Sequence, residues 1–142
     1  MKIQSNRIHV SFPGGRRVDA AVGNHTIRTD QSAAHGGDGS APEPFDLFLA
    51  SLATCAGLHV LALCQTRGIP TERLSLVQDQ VFENGKLSEI RLSVVVPADF
   101  PPKYLGAVRA AAATCRVKQT LAAPPAVEVV VASEPANQVL SA

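Results

Sequence analysis

The chain has no tryptophan, one tyrosine, one methionine and five phenylalanines among its 142 residues. With so few large side chains, alanine, valine and leucine must pack the core, and a hydrophobic content of 46% supplies them. Cysteine is scarce as well. Cys55, Cys64 and Cys115 are an odd set, unsuited to a disulfide framework. Neither sign of charge dominates, with 13 Lys and Arg against 12 Asp and Glu, so nothing draws nucleic acid or an acidic surface. The first ten residues, MKIQSNRIHV, lack a signal-peptide core. The cytoplasm is therefore the expected address, where thiols stay mostly reduced. There is no CxxC and no HxxxH, and His9, His25 and His35 fall in unrelated segments, so no metal is expected. The Gly-rich stretch Asp30 to Pro44 has neither phosphate-cradling glycine spacing, and no cofactor is expected. Repeats and linkers are absent too, so residues 1–142 read as a single domain.

The absence that organises the chain lies between Leu47 and Cys64, where there is no Asp, Glu, Lys or Arg. Apolar residues fall on every side of a helical wheel there, which predicts a helix buried all round. Pro42 and Pro44 mark its start, and Gly68 followed by Pro70 its end. A helix over 44–68 is about 35 Å long at 1.5 Å per residue, the width of a small domain. A membrane span fits less well. The uncharged run is short for one, contains Ser51, Thr54, Gly57 and His59, and is flanked by Glu43 and Asp46.

Before this helix, residues 1–43 read as strands and a loop. Ile8, Val10 and Phe12 alternate with polar residues, as do Val18, Ala20 and Val22, with Pro13-Gly14-Gly15 as the turn between them. Gly23-Asn24 is a second turn, with a short strand near Thr26 to Thr29. The loop from Asp30 to Pro44 reads as a flexible rim able to swing over a pocket. Residues 69–133 begin with a hairpin about Asn84-Gly85, from Leu74 to Phe82 and back from Leu87 to Val96. Two helices follow, Pro102 to Thr114 and Arg116 to Ala123, and Val127, Val129 and Val131 mark a last strand. Residues 134–142 read as a frayed tail. The order β-β-β-α-β-β-α-α-β, rich in hairpins, is α+β: one small, mostly antiparallel sheet on a long buried helix. One sheet and one short helix cannot cover such a helix, so a symmetric partner chain is expected.

Cys55 sits mid-helix, with Ser51 and His59 one turn away on either side along the same face. Alone it would read as a small core residue, since burial makes a thiol inert. The second thiol, Cys115, opens the predicted third helix and precedes Arg116 and Lys118, so the helix dipole favours its thiolate. Cys64, half a wheel-turn from Cys55, reads as a packing residue. Zinc shared by Cys55, His59 and Cys115 would fall short of the usual four ligands.

GGDGSAPEPFDLFLASLATC resembles the signature of OsmC-like proteins, the osmotically inducible and organic-hydroperoxide-resistance group, and CRVKQTL is similar to that family's second cysteine motif. The resemblance covers nearly all of residues 1–133. It implies an intertwined homodimer with two central helices back to back, and thiol-dependent peroxidase activity on organic hydroperoxides. Cys55 matches the peroxidatic cysteine and Cys115 the resolving one. Active members carry a Glu where this chain has Phe45, beside Asp46, and an activating Arg where it has Ala34 and His35.

The leading expectation is a dithiol peroxidase that uses Cys55 and Cys115 and is recycled by an external dithiol. His35, Arg28, Arg16 or a partner's Arg would favour the thiolate. Phe45, Phe48, Leu52, His59 and His35 are the expected pocket residues, and their apolar character suits an organic hydroperoxide. The alternatives are a non-catalytic OsmC-like module that binds a small apolar or thiol-containing ligand, and a redox sensor.

Overall fold

Alternating apolar residues build the N-terminal third of the chain. In the computed structural model, which describes residues 6–133, strands β1 (Ile8–Gly14), β2 (Arg17–Val22) and β3 (His25–Thr29) form an antiparallel sheet in that order. Ile8 lies opposite Val22, and Ala20 opposite both Val10 and Ile27, so these five residues share one face. That face is largely bare: Ile8, Val10 and Ile27 are all exposed, and so is Phe12 at 81%.

The long helix α1 spans Pro44–Arg67 and stops at Gly68, whose φ of 64° is the left-handed conformation that terminates helices. Asp46 in its first turn accepts the Glu43 N–H at 3.1 Å. After it come β4 (Ser75–Glu83) and β5 (Lys86–Val95), paired antiparallel. Asn84 and Gly85 both have positive φ, 52° and 76°, as a two-residue hairpin turn demands. A 3-10 turn at Pro102–Tyr104 leads into α2 (Leu105–Ala113), and α3 (Arg116–Ala122) follows, with Cys115 as its N-cap.

The architecture is α+β, but several expectations need correction. The strands form two separate sheets, one three-stranded and one two-stranded, instead of a single sheet. The last strand does not form: among the described residues Val127 to Val131 pair with nothing, and Val131 is fully exposed. Alternation gave that segment a strand pattern, but a strand also needs an open edge within reach. Cover of α1 by its own chain is partial, as one sheet and one short helix imply. Its own chain buries only Leu52, Ala56, Val60 and Cys64, a stripe at four-residue spacing, while Leu58 is 62% exposed. The chain's own elements, chiefly α2 with α3 and β4, pack against one side only. By length and composition α1 is apolar enough to cross a membrane, a test that the core helix of a soluble protein also passes. The tail 134–142 lies outside the described residues.

Two apolar clusters follow the stripe. Val60 and Cys64 pack with Phe100 and Val108. Leu52 and Ala56 pack with Cys115, and Cys55, Leu76, Ile90, Leu92, Ala112 and Val117 surround them.

Candidate functional site

The second cluster brings the two expected cysteines together from positions sixty residues apart. Cys55 is half-buried on α1, Cys115 is completely buried, and both are free thiols. Cys115 is placed by α3. Its sulfur caps that helix by accepting the Lys118 N–H at 3.5 Å, and its thiol lies 3.7 Å from the Leu52 carbonyl oxygen on α1. The start of α3 therefore points at α1 where Cys55 sits. The Val117 N–H, the Cys115 side chain, the Arg116 N–H and the Arg116 guanidinium together hold the Cys55 thiol below its ordinary value. They outweigh the loss of hydration, which acts the other way. Hydrogen bonds and positive charge that lower a thiol's pKa raise its thiolate fraction, and the thiolate is the nucleophile.

The sequence assigned the α3 amides to Cys115 alone. In the fold the Lys118 N–H bonds the Cys115 sulfur, while the Val117 and Arg116 amides lie close enough to Cys55 to lower its thiol. No local signal marks Val117 for this role, because its target is far away in the chain. Among the described residues, Arg116 is the cation that acts on Cys55. Arg16 and His35 instead line a separate groove of about 440 Å³ beside the β1–β2 turn.

An apolar cavity of about 690 Å³ opens beside the cysteine cluster, between β5 and the pair α2 and α3. Leu52, Ile90, Leu92 and Ala112 serve both: they pack around Cys115 and line the cavity. Of the five expected pocket residues, Leu52 lines it. Phe45 and Phe48 stack on each other at the start of α1, with ring centroids 5.4 Å apart. His59 is half-buried one turn beyond Cys55. Cys64 lies in the other cluster, where burial pushes its thiol up. Among the described residues no three His, Cys, Asp or Glu side chains gather as a metal site.

The loop before α1 is tied down, which corrects the expectation of a flexible rim. The buried Asp30 carboxylate accepts the Gln31 N–H at 2.8 Å, the Ser40 N–H at 3.0 Å and the Ser40 hydroxyl at 2.6 Å. Ser40 first, then Gln31, bring Asp30 down to about 2. Glu43 accepts the Ser32 N–H at 2.9 Å and meets His35 Nδ1 at 2.8 Å; His35 first, then Ser32, bring it to about 2 as well. Gly37 lets the loop close on itself, since a Cβ there would lie 2.0 Å from the Gln31 carbonyl oxygen.

The description "OsmC-like protein" matches residues 37–130, a span that includes both cysteines. Curated proteins yield no match. Among solved structures, the chain is similar to an osmotic stress induced and detoxification response protein from Psychrobacter arcticus. That pair shares 22% identity with a TM-score of 0.69, covering 84% of this chain and 90% of the other. An OsmC-like protein of unknown function from Vibrio cholerae aligns at 16% identity and TM-score 0.60, over 83% and 94% of the two chains. A Legionella pneumophila structure described as an organic hydroperoxide resistance protein OsmC, a predicted redox protein, aligns at 19% identity and TM-score 0.53, over 85% and 91%. At these identities the structural likeness is one of fold. The match over residues 37–130, with both cysteine segments inside it, places the chain in the OsmC-like protein family.

Proposed function

We propose that this protein is a thiol peroxidase that reduces organic hydroperoxides through Cys55 and Cys115, as a homodimer in a reducing compartment such as the cytoplasm. The observation that carries the reading is the contact between the two thiols at the start of α3, where backbone amides and Arg116 favour the Cys55 thiolate. The Cys55 thiolate attacks the distal oxygen of the hydroperoxide. The O–O bond breaks, the alkoxide takes a proton and leaves as an alcohol, and Cys55 becomes a sulfenic acid. The Cys115 thiol displaces water from that sulfur and forms a disulfide. An external dithiol then gives up two electrons and restores both thiols. Amide donors and Arg116 stand in for the family's Glu and Arg, which this chain lacks.

The test is turnover of cumene hydroperoxide with dithiothreitol. Cys55→Ser should abolish it, since a serine hydroxyl has no anionic form at neutral pH. Equal consumption by wild type and Cys55→Ser would overturn the reading. One observation favours the non-catalytic alternative: a cavity large enough for a ligand lies beside the cysteine cluster, in a chain that has Phe45 where the family has Glu.

A further inference from the structure

We propose that formation of a Cys55–Cys115 disulfide uncaps α3 and releases it from α1, so that this helix is a redox-operated latch on one wall of the cavity. The inference rests on the proposed function only for the oxidant that operates it.

The reduced latch is held by one sulfur. The Cys115 thiol donates to the Leu52 carbonyl oxygen at 3.7 Å, and the same sulfur accepts the Lys118 N–H at 3.5 Å. It ties α3 to α1 and caps α3 at once. Little else holds the helix. Arg116–Ala122 has seven residues, buries none of them, and has no acid in its first turn. Arg116 and Lys118 stand there instead, where the helix dipole disfavours cations. Pro124 and Pro125 bar extension at the other end. Helices shorter than about 12 residues are marginal in water without support, so α3 depends on its cap.

Oxidation takes the cap away. Each thiol gives up one proton and one electron, and an S–S bond of about 2.05 Å joins the two sulfurs. Cys115 then has no S–H to offer Leu52, and its sulfur turns from the Lys118 N–H towards Cys55. Either cysteine could move, and the stiffness of its element decides which does. Cys55 sits inside a 24-residue helix, whereas Cys115 heads one of seven residues. It is α3 that yields. Lys118 and Leu121 of α3 line the cavity, so release of the helix opens that wall and uncovers Cys115, which is completely buried in the reduced protein.

The experiment is hydrogen exchange of the full chain, reduced and after one equivalent of diamide. Diamide takes up the two protons and two electrons and is not a peroxide, so the latch is read whether or not the protein turns over hydroperoxides. Thiol labelling after the reaction should find Cys64 alone free. Protection of the Lys118 and Gln119 amides should fall about fivefold or more, the effect of losing a helix cap. Amides of α2 should keep theirs, and dithiothreitol should reverse the loss. Cys115→Ser keeps a capping oxygen but cannot cross-link, so diamide should leave its α3 protected. Cys115→Ala removes the cap without oxidation and should show the loss in reduced protein, with α1 still protected. The proposal falls if diamide does not join Cys55 to Cys115, if cross-linked protein protects α3 as well as reduced protein does, or if Cys115→Ala behaves like wild type. Cross-linking with α3 intact would leave the peroxidase reading standing. Release of α3 without peroxide turnover would remove that reading and keep the latch.

Discussion

At the scale of single residues, Cys55, Cys115 and Cys64 have the same side chain and three different settings. Cys55 lies by the start of α3, whose amides and Arg116 lower its thiol, Cys115 caps that helix, and Cys64 is surrounded by hydrocarbon. Alkylation by iodoacetamide should therefore begin at Cys55, with a midpoint below that of a free thiol, and Cys64 should be inert until the protein unfolds. Arg116 occupies the first position of α3, where proline is tolerated. Arg116→Pro removes an N–H and the guanidinium together, so Cys55 alkylation at pH 7 should slow by about tenfold, one pKa unit, without loss of helix in circular dichroism. An unchanged rate would show that α3 does not activate the thiol. In peroxide assays Cys115→Ser should consume about one equivalent per Cys55 and then stop, the sulfenic acid having no resolving partner. Peptide mass spectrometry would detect its further oxidation.

Among the elements, the loop 30–43 depends on two carboxylates. The folded values of Asp30 and Glu43 are both depressed, to about 2 from 3.8 and 4.5. The stability they contribute is fully present above pH 4.5 and is lost as pH falls towards 2, where protonation removes the acceptors. Hydrogen exchange of the Gln31, Ser32 and Ser40 amides should thus be protected at pH 5 and lose protection near pH 2, after correction for intrinsic rates. Asp30→Asn should lose that protection even at neutral pH. Protection independent of pH would mean that the glycine-rich backbone alone holds the loop. Helix α1 makes a harsher demand. Ala56 is fully buried against Leu52 and Cys115. Ala56→Asp places an unpaired charge there at a cost of several kcal/mol, comparable with the whole stability of a small domain. No soluble, cooperatively melting protein is expected.

For the whole molecule, surface area is the informative quantity. The chain exposes 11379 Å², whereas a compact monomer of 14.9 kDa exposes about 7,000 Å². Exposed apolar residues lie on the outer side of α1, on the β1–β3 sheet and along Val127 to Val131. Patches of that extent mark contacts with other chains. A second copy offers matching surfaces, and a twofold pair is the commonest solution. Leu58→Glu tests this. Leu58 touches little within its own chain, so in a monomer the change is harmless, but in a dimer closed over α1 it buries a charge. Sedimentation equilibrium should show wild-type dimer at micromolar concentration and a dissociated or misassembled variant. Wild-type protein sedimenting as a folded monomer would rule the dimer out.

The amino-acid sequence by itself determined the local features. Pro44 and Gly68 bound α1, Asn84-Gly85 turns the β4–β5 hairpin, and Cys115 opens α3, because each rests on backbone preferences of neighbouring residues. The two cysteine motifs also pointed to the family. Tertiary structure alone decided which side of an evenly apolar α1 is buried, since such a helix has no stripe to read. It decided as well that Val127 to Val131 stay unpaired among the described residues, because pairing depends on where a strand edge lies. It brought the start of α3, with the Val117 and Arg116 amides, to Cys55, a sulfur some sixty residues distant, by packing α3 on α1. Distances across the chain are set by packing, and packing is written in no single segment.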